Sequence, residues 1–213
     1  MKTKQYLATS LLAAALCASL PATALEPGDM MIRVGAHTVA PDVDSETTPN
    51  IPGGQVDVSD GTSLTITLGY MLTSNIALDV LAALPFAHDI EGAGALEGAG
   101  VVAEVEHLPP TISAQYHFAP DSGVRPYVGL GVNYTTFTDV DEVGALAGDS
   151  LDLDDSIGLA VQGGVDVDLS SGWFVSFDVR YMQIETEANS ATTGRFNVTL
   201  DPWVAGFAVG KTF

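Results

Sequence analysis

Apolar and polar residues alternate with a period of two along most of the chain, the pattern of β-strands whose two faces meet different surroundings. Leu64, Ile66, Leu68, Tyr70 and Leu72 alternate with Ser63, Thr65, Thr67 and Gly69, and Ile76, Leu78, Val80, Ala82, Leu84 and Phe86 with Ala77, Asp79, Leu81 and Ala83. The same rhythm runs through residues 128–135, 156–167, 173–181 and 203–213. Strands around 30–38 and from about 101 to 118 bring the expected number to eight. Bulky apolar side chains keep one parity; Gly, Ser, Thr, Asn and Asp keep the other. The connections alternate too: residues 73–75, 119–124 and 170–172 are short turns, whereas 39–60, 88–100, 138–155 and 185–196 are long. Such a chain is an up-and-down antiparallel meander with tight turns at one end and long loops at the other.

Composition says where the two faces go. Of the 213 residues 46% are hydrophobic, and the mean hydropathy is +0.27, yet 27 acidic residues stand against 7 basic ones. A formal net charge of −20 repels nucleic-acid phosphates, and the hydrophobic content is too high for a disordered acidic tail. The four long connections hold 17 of the 27 acidic residues, so charge gathers at one end while apolar side chains cover the walls. A closed transmembrane β-barrel accommodates both, because its exterior can face lipid while every backbone group is paired within the ring. No segment beyond residue 24 offers the 18 successive apolar residues of a membrane helix. Tyr70, Tyr116, Phe118, Tyr127, Trp173 and Phe213 near the short turns, and Phe86, Tyr134, Phe137 and Tyr181 near the long loops, predict two aromatic girdles. A soluble eight-stranded calyx is the structural competitor. Its apolar face would point inward, but an eight-stranded bore suits the small polar parity better than the bulky one.

Residues 1–24 read as an export signal: Lys2 and Lys4 precede an apolar stretch over 7–20, and Ala22-Thr23-Ala24 forms a small-residue cleavage site. Residues 25–213 then form a single barrel domain starting near Leu25. Cys17 lies within the signal, so the exported chain has no thiol for disulfide, metal or nucleophilic chemistry. It keeps 5 basic and 27 acidic residues, a net of −22.

Several words in the sequence carry a family resemblance. His107-Leu108-Pro109-Pro110-Thr111, the run of residues 125–137 beginning Arg125-Pro126-Tyr127, and Asp201-Pro202-Trp203-Val204 closely resemble the OmpW family of outer-membrane proteins. Tyr70-Met71 with Asn75-Ile76, Pro85-Phe86 and Tyr181-Met182 do so too, in order over essentially the whole exported chain. The resemblance implies an eight-stranded antiparallel barrel in the outer membrane of a Gram-negative bacterium. It also implies a narrow, largely hydrophobic bore associated with uptake of small hydrophobic compounds, and the alkane-import proteins of the family suggest lateral release into the membrane. Two positions depart from the pattern: Lys211 stands third from the end, where an aromatic residue is usual, and Arg180 occupies an inward position where an apolar one is expected.

The diproline has a reading of its own. Above it the apolar parity is odd (Val101, Ala103, Val105), with Glu104 and Glu106 opposite; below it the apolar parity is even (Ile112, Ala114, Tyr116, Phe118). A bulge or break at the prolines would keep both glutamates out of lipid. Neither proline donates to a ladder, so a gap is predicted between the fourth strand and its neighbour carrying Pro85. The residues of this opening are Pro85, His107, Leu108, Pro109 and Pro110, with Leu81, Ala83, Arg180, Met182 and Ile184 lining the bore. The opening is either a functional lateral exit or an irregularity plugged by side chains.

Other chemistries find little support. His37, His88, His107 and His117 lack metal-binding spacing, and no cofactor is expected. His107 reads as a hydrogen-bonded structural histidine. Ser113 and His117 share a strand face at a four-residue separation, too far for direct contact, so an enzyme is not expected. The acidic run Asp139, Asp141, Glu142, Asp152, Asp154 and Asp155 lacks the glycine and terminal glutamate of an EF-hand and reads as solvated surface, the alternative being a weak divalent cation held by several loops or bridged to anionic lipid. Asp79, Asp166 and Asp178 face inward with Arg33 and Arg180, an expected polar layer. The leading expectation is a channel or carrier for small hydrophobic solutes, with lipids and lipopolysaccharide around a monomeric barrel. Its long loops would be extracellular, and its short turns and both termini periplasmic. The alternative is a sealed structural or surface-interaction barrel; a lipid-modifying enzyme ranks last.

Overall fold

The computed structural model describes residues 24–213. The export signal, Cys17 included, lies outside the described residues except for Ala24. Eight antiparallel strands form the wall: β1 (Met30–Ala40), β2 (Gly61–Met71), β3 (Ile76–Ala83), β4 (Thr111–His117), β5 (Val124–Glu142), β6 (Ser156–Ser170), β7 (Trp173–Met182) and β8 (Trp203–Thr212). Each pairs with its chain neighbours, and β1 pairs with β8 from Met31 opposite Thr212 to Ala40 opposite Trp203, which closes the ring. Closure leaves the wall without a free edge, the condition for strands to stand in lipid.

Outward and inward parity follow the alternation read from the sequence. Leu64, Ile66, Leu68, Ile112, Leu130, Val132, Ile157, Leu159, Phe177 and Phe207 are exposed on the outside, Ile157 by 74%. Thr65, Thr67, Asp79, Ser113, Gln115, Asp166, Ser176 and Asp178 are buried inside. Tyr70, Tyr116, Phe118, Trp173 and Phe213 ring the short-turn end, and Tyr134 and Trp203 the other. Tyr127 and Phe86 do not join the girdles, because parity turns both into the bore, where they are 2% and 1% exposed.

Strands continue beyond the wall at the long-loop end. Phe86–Gly94 pairs with Val101–Leu108, which pairs with the far end of β5; Gly54–Val58 adds to this sheet, and Glu185–Ser190 pairs with Gly194–Thr199. Much of what the sequence suggested as loops over 88–100, 138–155 and 185–196 is therefore ordered. Its apolar side is the inner one: Ile90, Val102, Ala103, Val105, Leu146, Leu151, Ala188, Phe196 and Val198 form one buried cluster.

This corrects the expectation about the diproline. The fourth strand does not change parity, since Ala103, Val105, His107, Thr111 and Ser113 are all buried. The apolar parity reverses because the outer medium changes: Ile112 and Tyr116 stand outward on the lipid-facing belt, whereas Glu104 points outward above it. The extra residue sits on the third strand instead. Leu81 pairs with Thr111 and Phe86 with His107, so four residues face three across the interruption and Phe86 turns inward.

The bore is narrow enough that large inward groups need glycine on a neighbouring strand. A Cβ on Gly206 would lie 2.1 Å from the His37 ring, and one on Gly210 would lie 2.3 Å from the Phe174 ring. Gly206→Ala is therefore expected to lower the free energy of unfolding by about 1–3 kcal/mol, the usual range for overpacking. Gly163→Ala, whose Cβ meets nothing closer than 3.9 Å, is expected to stay within about 0.5 kcal/mol of the parent. Urea titrations of both proteins in the same vesicles check the difference.

Candidate functional site

The bore is stacked in layers. At the short-turn end Leu25, Met31, Met71, Ala77 and Phe174 form an apolar plug, with the Leu25 amide donating to Pro120 O at 2.9 Å. The Phe174 ring lies 5.3 Å from the Arg33 guanidinium and 5.5 Å from that of Arg125, so cations stack on its face.

Above the plug is an ionic layer. Arg33 on β1 reaches Asp166 on β6 at 2.8 Å and Asp79 on β3 at 3.4 Å. Arg180 on β7 donates from Nε to Asp178 at 2.7 Å and approaches Asp79 at 3.9 Å. His37 joins Asp178 at 3.0 Å through Nε2 and Thr65 at 2.7 Å through Nδ1. Arg125 pairs with Asp168, and the Tyr127 ring stands 5.6 Å from the Arg33 guanidinium. β3 and β7 are opposite members of the eight, so the Asp79–Arg180 approach crosses the whole bore. Three arginines meet four aspartates here, with His37 bridging Asp178 and Thr65. Opposite charges paired in this way offset one another inside a membrane that would exclude them singly.

The next layer is apolar. Val39, Leu81, Phe86, Ala160, Met182, Ile184 and Val204 form one buried cluster, with Ala83 packed against it. Leu81, Met182 and Ile184, read as lining residues from the sequence, thus sit together with Ala83 beside them, whereas Arg180 belongs to the ionic layer below. A cavity of ≈ 90 Å³ continues upward from Val39 and Ile184 to Ile90, Val105, Leu146 and Phe196. Its walls are apolar apart from a few groups, His88 and His107 among them.

The interruption in the wall opens beside the apolar layer. Pairing between the third and fourth strands stops at Leu81–Thr111 and resumes at Phe86–His107, so residues 82–85 have no partner on the fourth strand across from Leu108, Pro109 and Pro110, although Ala82 and Ala83 still pair with Ile66 and Thr65 on β2. The Leu84 amide turns to Leu64 O on β2 instead, at 2.9 Å. The prolines stay attached on their other side. Tyr134 N donates to Pro110 O at 3.0 Å, and Asn133 Nδ2 donates to Pro109 O at 3.1 Å and to Thr111 Oγ1 at 3.0 Å. Leu84 and Pro85 are exposed on the outside, and Pro109 is buried.

His107 lies at the upper edge of this gap. Its ring stacks on Phe86 at 5.5 Å and on His88 at 4.9 Å, with Phe137 at 6.3 Å. No hydrogen bond to its ring occurs among the described residues, so stacking holds it and not the hydrogen bonding expected from the sequence. His88 donates from Nδ1 to Ser59 O at 2.6 Å, which fixes the proton on Nδ1. Sequence reasoning missed Asn133, His88 and the Arg125–Asp168 pair. Their signal was inward parity, but nothing local marks the partners they meet across the barrel.

Among known proteins, the OmpW family pattern matches residues 26–213. The outer membrane protein W of Vibrio cholerae is 42% identical over 207 residues, covering 93% of this chain and 95% of that protein. The dibenzothiophene metabolism operon protein PahQ of Pseudomonas aeruginosa is 30% identical over 203 residues, covering 92% and 94%. The crystal structure of the outer membrane protein OprG from Pseudomonas aeruginosa superposes with a TM-score of 0.81 at 34% identity, covering 89% of this chain and 98% of that one.

Burial, with His88 alongside, pushes the His107 imidazole down to about 3, and burial lowers His88. Both groups lie above the wall strands. An imidazole held neutral in the fold and free to protonate when the chain opens costs nothing above its ordinary value of 6.5 and destabilises as the pH falls below it. Protection factors of residues 86–94 and 101–108 are expected to fall between pH 6.5 and about 3, by up to roughly tenfold per pH unit for each imidazole. His107→Phe should remove one share of that dependence. Amide exchange measured across the range, with the wall strands as internal reference, checks it.

Proposed function

The chain belongs to the OmpW family of outer-membrane proteins, and from that premise we propose that it takes up small hydrophobic molecules passively and releases them sideways into the bilayer. One observation carries the reading: an apolar layer with a cavity above it stands on an ionic floor that crosses the bore, and the ladder between the third and fourth strands is interrupted beside that layer. A solute partitioning into the cavity gains from burial of its apolar surface. To continue along the axis it would have to part Arg33, Asp79, Asp166, Asp178 and Arg180, whereas Leu81, Ala83 and Pro85 lead to the lipid with no charge to displace. Kinship with a protein of a dibenzothiophene metabolism operon supports an apolar cargo. In this reading the acidic long loops face the cell exterior, the short turns and termini face the periplasm, and the closed ring works as a monomer.

The second reading is a sealed surface barrel, which the cross-bore ion pairs favour directly. Liposomes containing the purified protein separate the two, using a small apolar solute and a polar one of similar size. Apolar flux above that of empty liposomes is expected, with no gain for the polar solute. Leu81→Asp puts a carboxylate on the route and should cut apolar flux about tenfold or more, the effect of roughly 1–3 kcal/mol of added barrier. Equal flux with and without protein would leave the sealed barrel, and undiminished flux through a correctly folded Leu81→Asp barrel would place the route elsewhere.

A further inference from the structure

Five basic residues follow position 24, and four of them are already engaged. Arg33, Arg125 and Arg180 pair inside the bore, and Arg195 pairs with Glu187 at the long-loop end. Lys211 is left on the outer face of β8 at the short-turn rim. It lies opposite Ile32 on β1 and Trp173 on β7. Its Nζ stands 5.4 Å from the Trp173 ring and 5.0 Å from the Phe213 ring, and it makes no ion pair among the described residues.

The surroundings of Lys211 form a groove. Ile32, Val34 and Val209 floor it, Trp173 and Phe213 flank it, and Lys211 closes its rim end. The floor runs from the rim toward the middle of the lipid-facing belt, since Val34 and Val209 are paired one step further along β1 and β8. The tail is pinned, with Phe213 N donating to Met30 O at 2.9 Å and Met30 N to Phe213 O at 3.2 Å, so the groove exists before anything occupies it. A cation at the rim, two rings beside it and an apolar track below match an amphiphile with an anionic head and an acyl chain. Among the described residues the other cations are already paired with carboxylates, so Lys211 is the one left to meet an anionic head.

We propose that this groove is a binding site for an anionic glycerophospholipid. Its phosphate sits on Lys211 Nζ, its glycerol region lies against Trp173, and one acyl chain lies along Val34 and Val209. Rings that flank an ammonium hold it at the interface and still leave it free to meet a phosphate. The site depends on the barrel standing in a bilayer and not on what the barrel transports.

The two tryptophans of the chain make the test direct, since Trp173 and Trp203 lie at opposite rims. In Trp203→Phe protein, Trp173 is the sole reporter. The protein is reconstituted in phosphatidylcholine vesicles doped with chain-brominated phosphatidylglycerol or chain-brominated phosphatidylcholine, and quenching is compared. A preference of roughly fivefold for phosphatidylglycerol is expected at Trp173, as for one basic residue near a bilayer surface. Lys211→Gln should reduce the ratio to about one, and Lys211→Arg should retain it, which separates lost charge from lost folding. The converse Trp173→Phe protein should show no preference at Trp203. Equal quenching of Trp173 by both lipids, or a preference that survives Lys211→Gln, overturns the site.

Discussion

The cross-bore ion network is the constraint around which the rest of the barrel is arranged. Arg33, Asp79, Asp166, Asp178, Arg180 and His37 come from β1, β3, β6 and β7, so the contacts bind together strands that share no backbone ladder. Removing one partner of a buried pair typically costs about 3–5 kcal/mol, because the survivor is left as an uncompensated charge. Every member therefore constrains the others. Gly206 is small because the His37 ring lies over it, and Phe174 is aromatic at a place where two guanidinium groups need a face to rest on. The network also divides the bore into an apolar plug below and an apolar layer above, which no stack of small neutral residues would do.

A second constraint is the medium outside the wall. Strands in lipid must present apolar side chains outward, and the same strands in water must present them inward. The chain meets both demands by continuing its strands past the lipid-facing belt and exchanging which parity is apolar. On the fourth strand this happens with no change in backbone parity, so Ile112 and Val105 point to opposite sides although both are apolar. The third strand instead inserts a residue between Leu81 and Phe86, and β5 inserts Thr138 between the residues opposite Glu106 and His107. The interrupted ladder and the top of the lipid-facing belt therefore coincide. The interruption of the ladder at this level follows from changing solvents as much as from the two prolines, which remove donors where the ladder already stops.

Period two made the eight strands, their inward and outward faces and the short-turn end legible, because burial of one face dictates each residue in turn. The inward placement of Asp79, Asp166, Asp178, Arg33 and Arg180 followed from the same parity. Their pairing did not, since partners such as Arg33 and Asp166 are far apart in sequence and meet only when the ring closes. The extensions were misread as loops because their outer parity carries acids such as Asp89, Glu91 and Glu187, which hid an alternation that was still present. Tyr127 and Phe86 were misplaced in the girdles for a related reason: position near a strand end was given more weight than parity. His107 carried no signal for stacking, because Phe86, His88 and Phe137 gather around it from three stretches of chain.

The layers together bear on direction of passage. A floor of ion pairs closes the axis to both kinds of solute, and an apolar one offers nothing in exchange for parting them. The apolar layer above that floor holds Val39, Leu81, Met182 and Ile184, and beside it residues 82–85 have no partner on the fourth strand. An apolar molecule that reaches Leu81 therefore faces an ionic layer on the axis and hydrocarbon to the side. In the proposed reading the free energy of transfer favours the side, and the ionic floor that closes the axis directs an apolar cargo there.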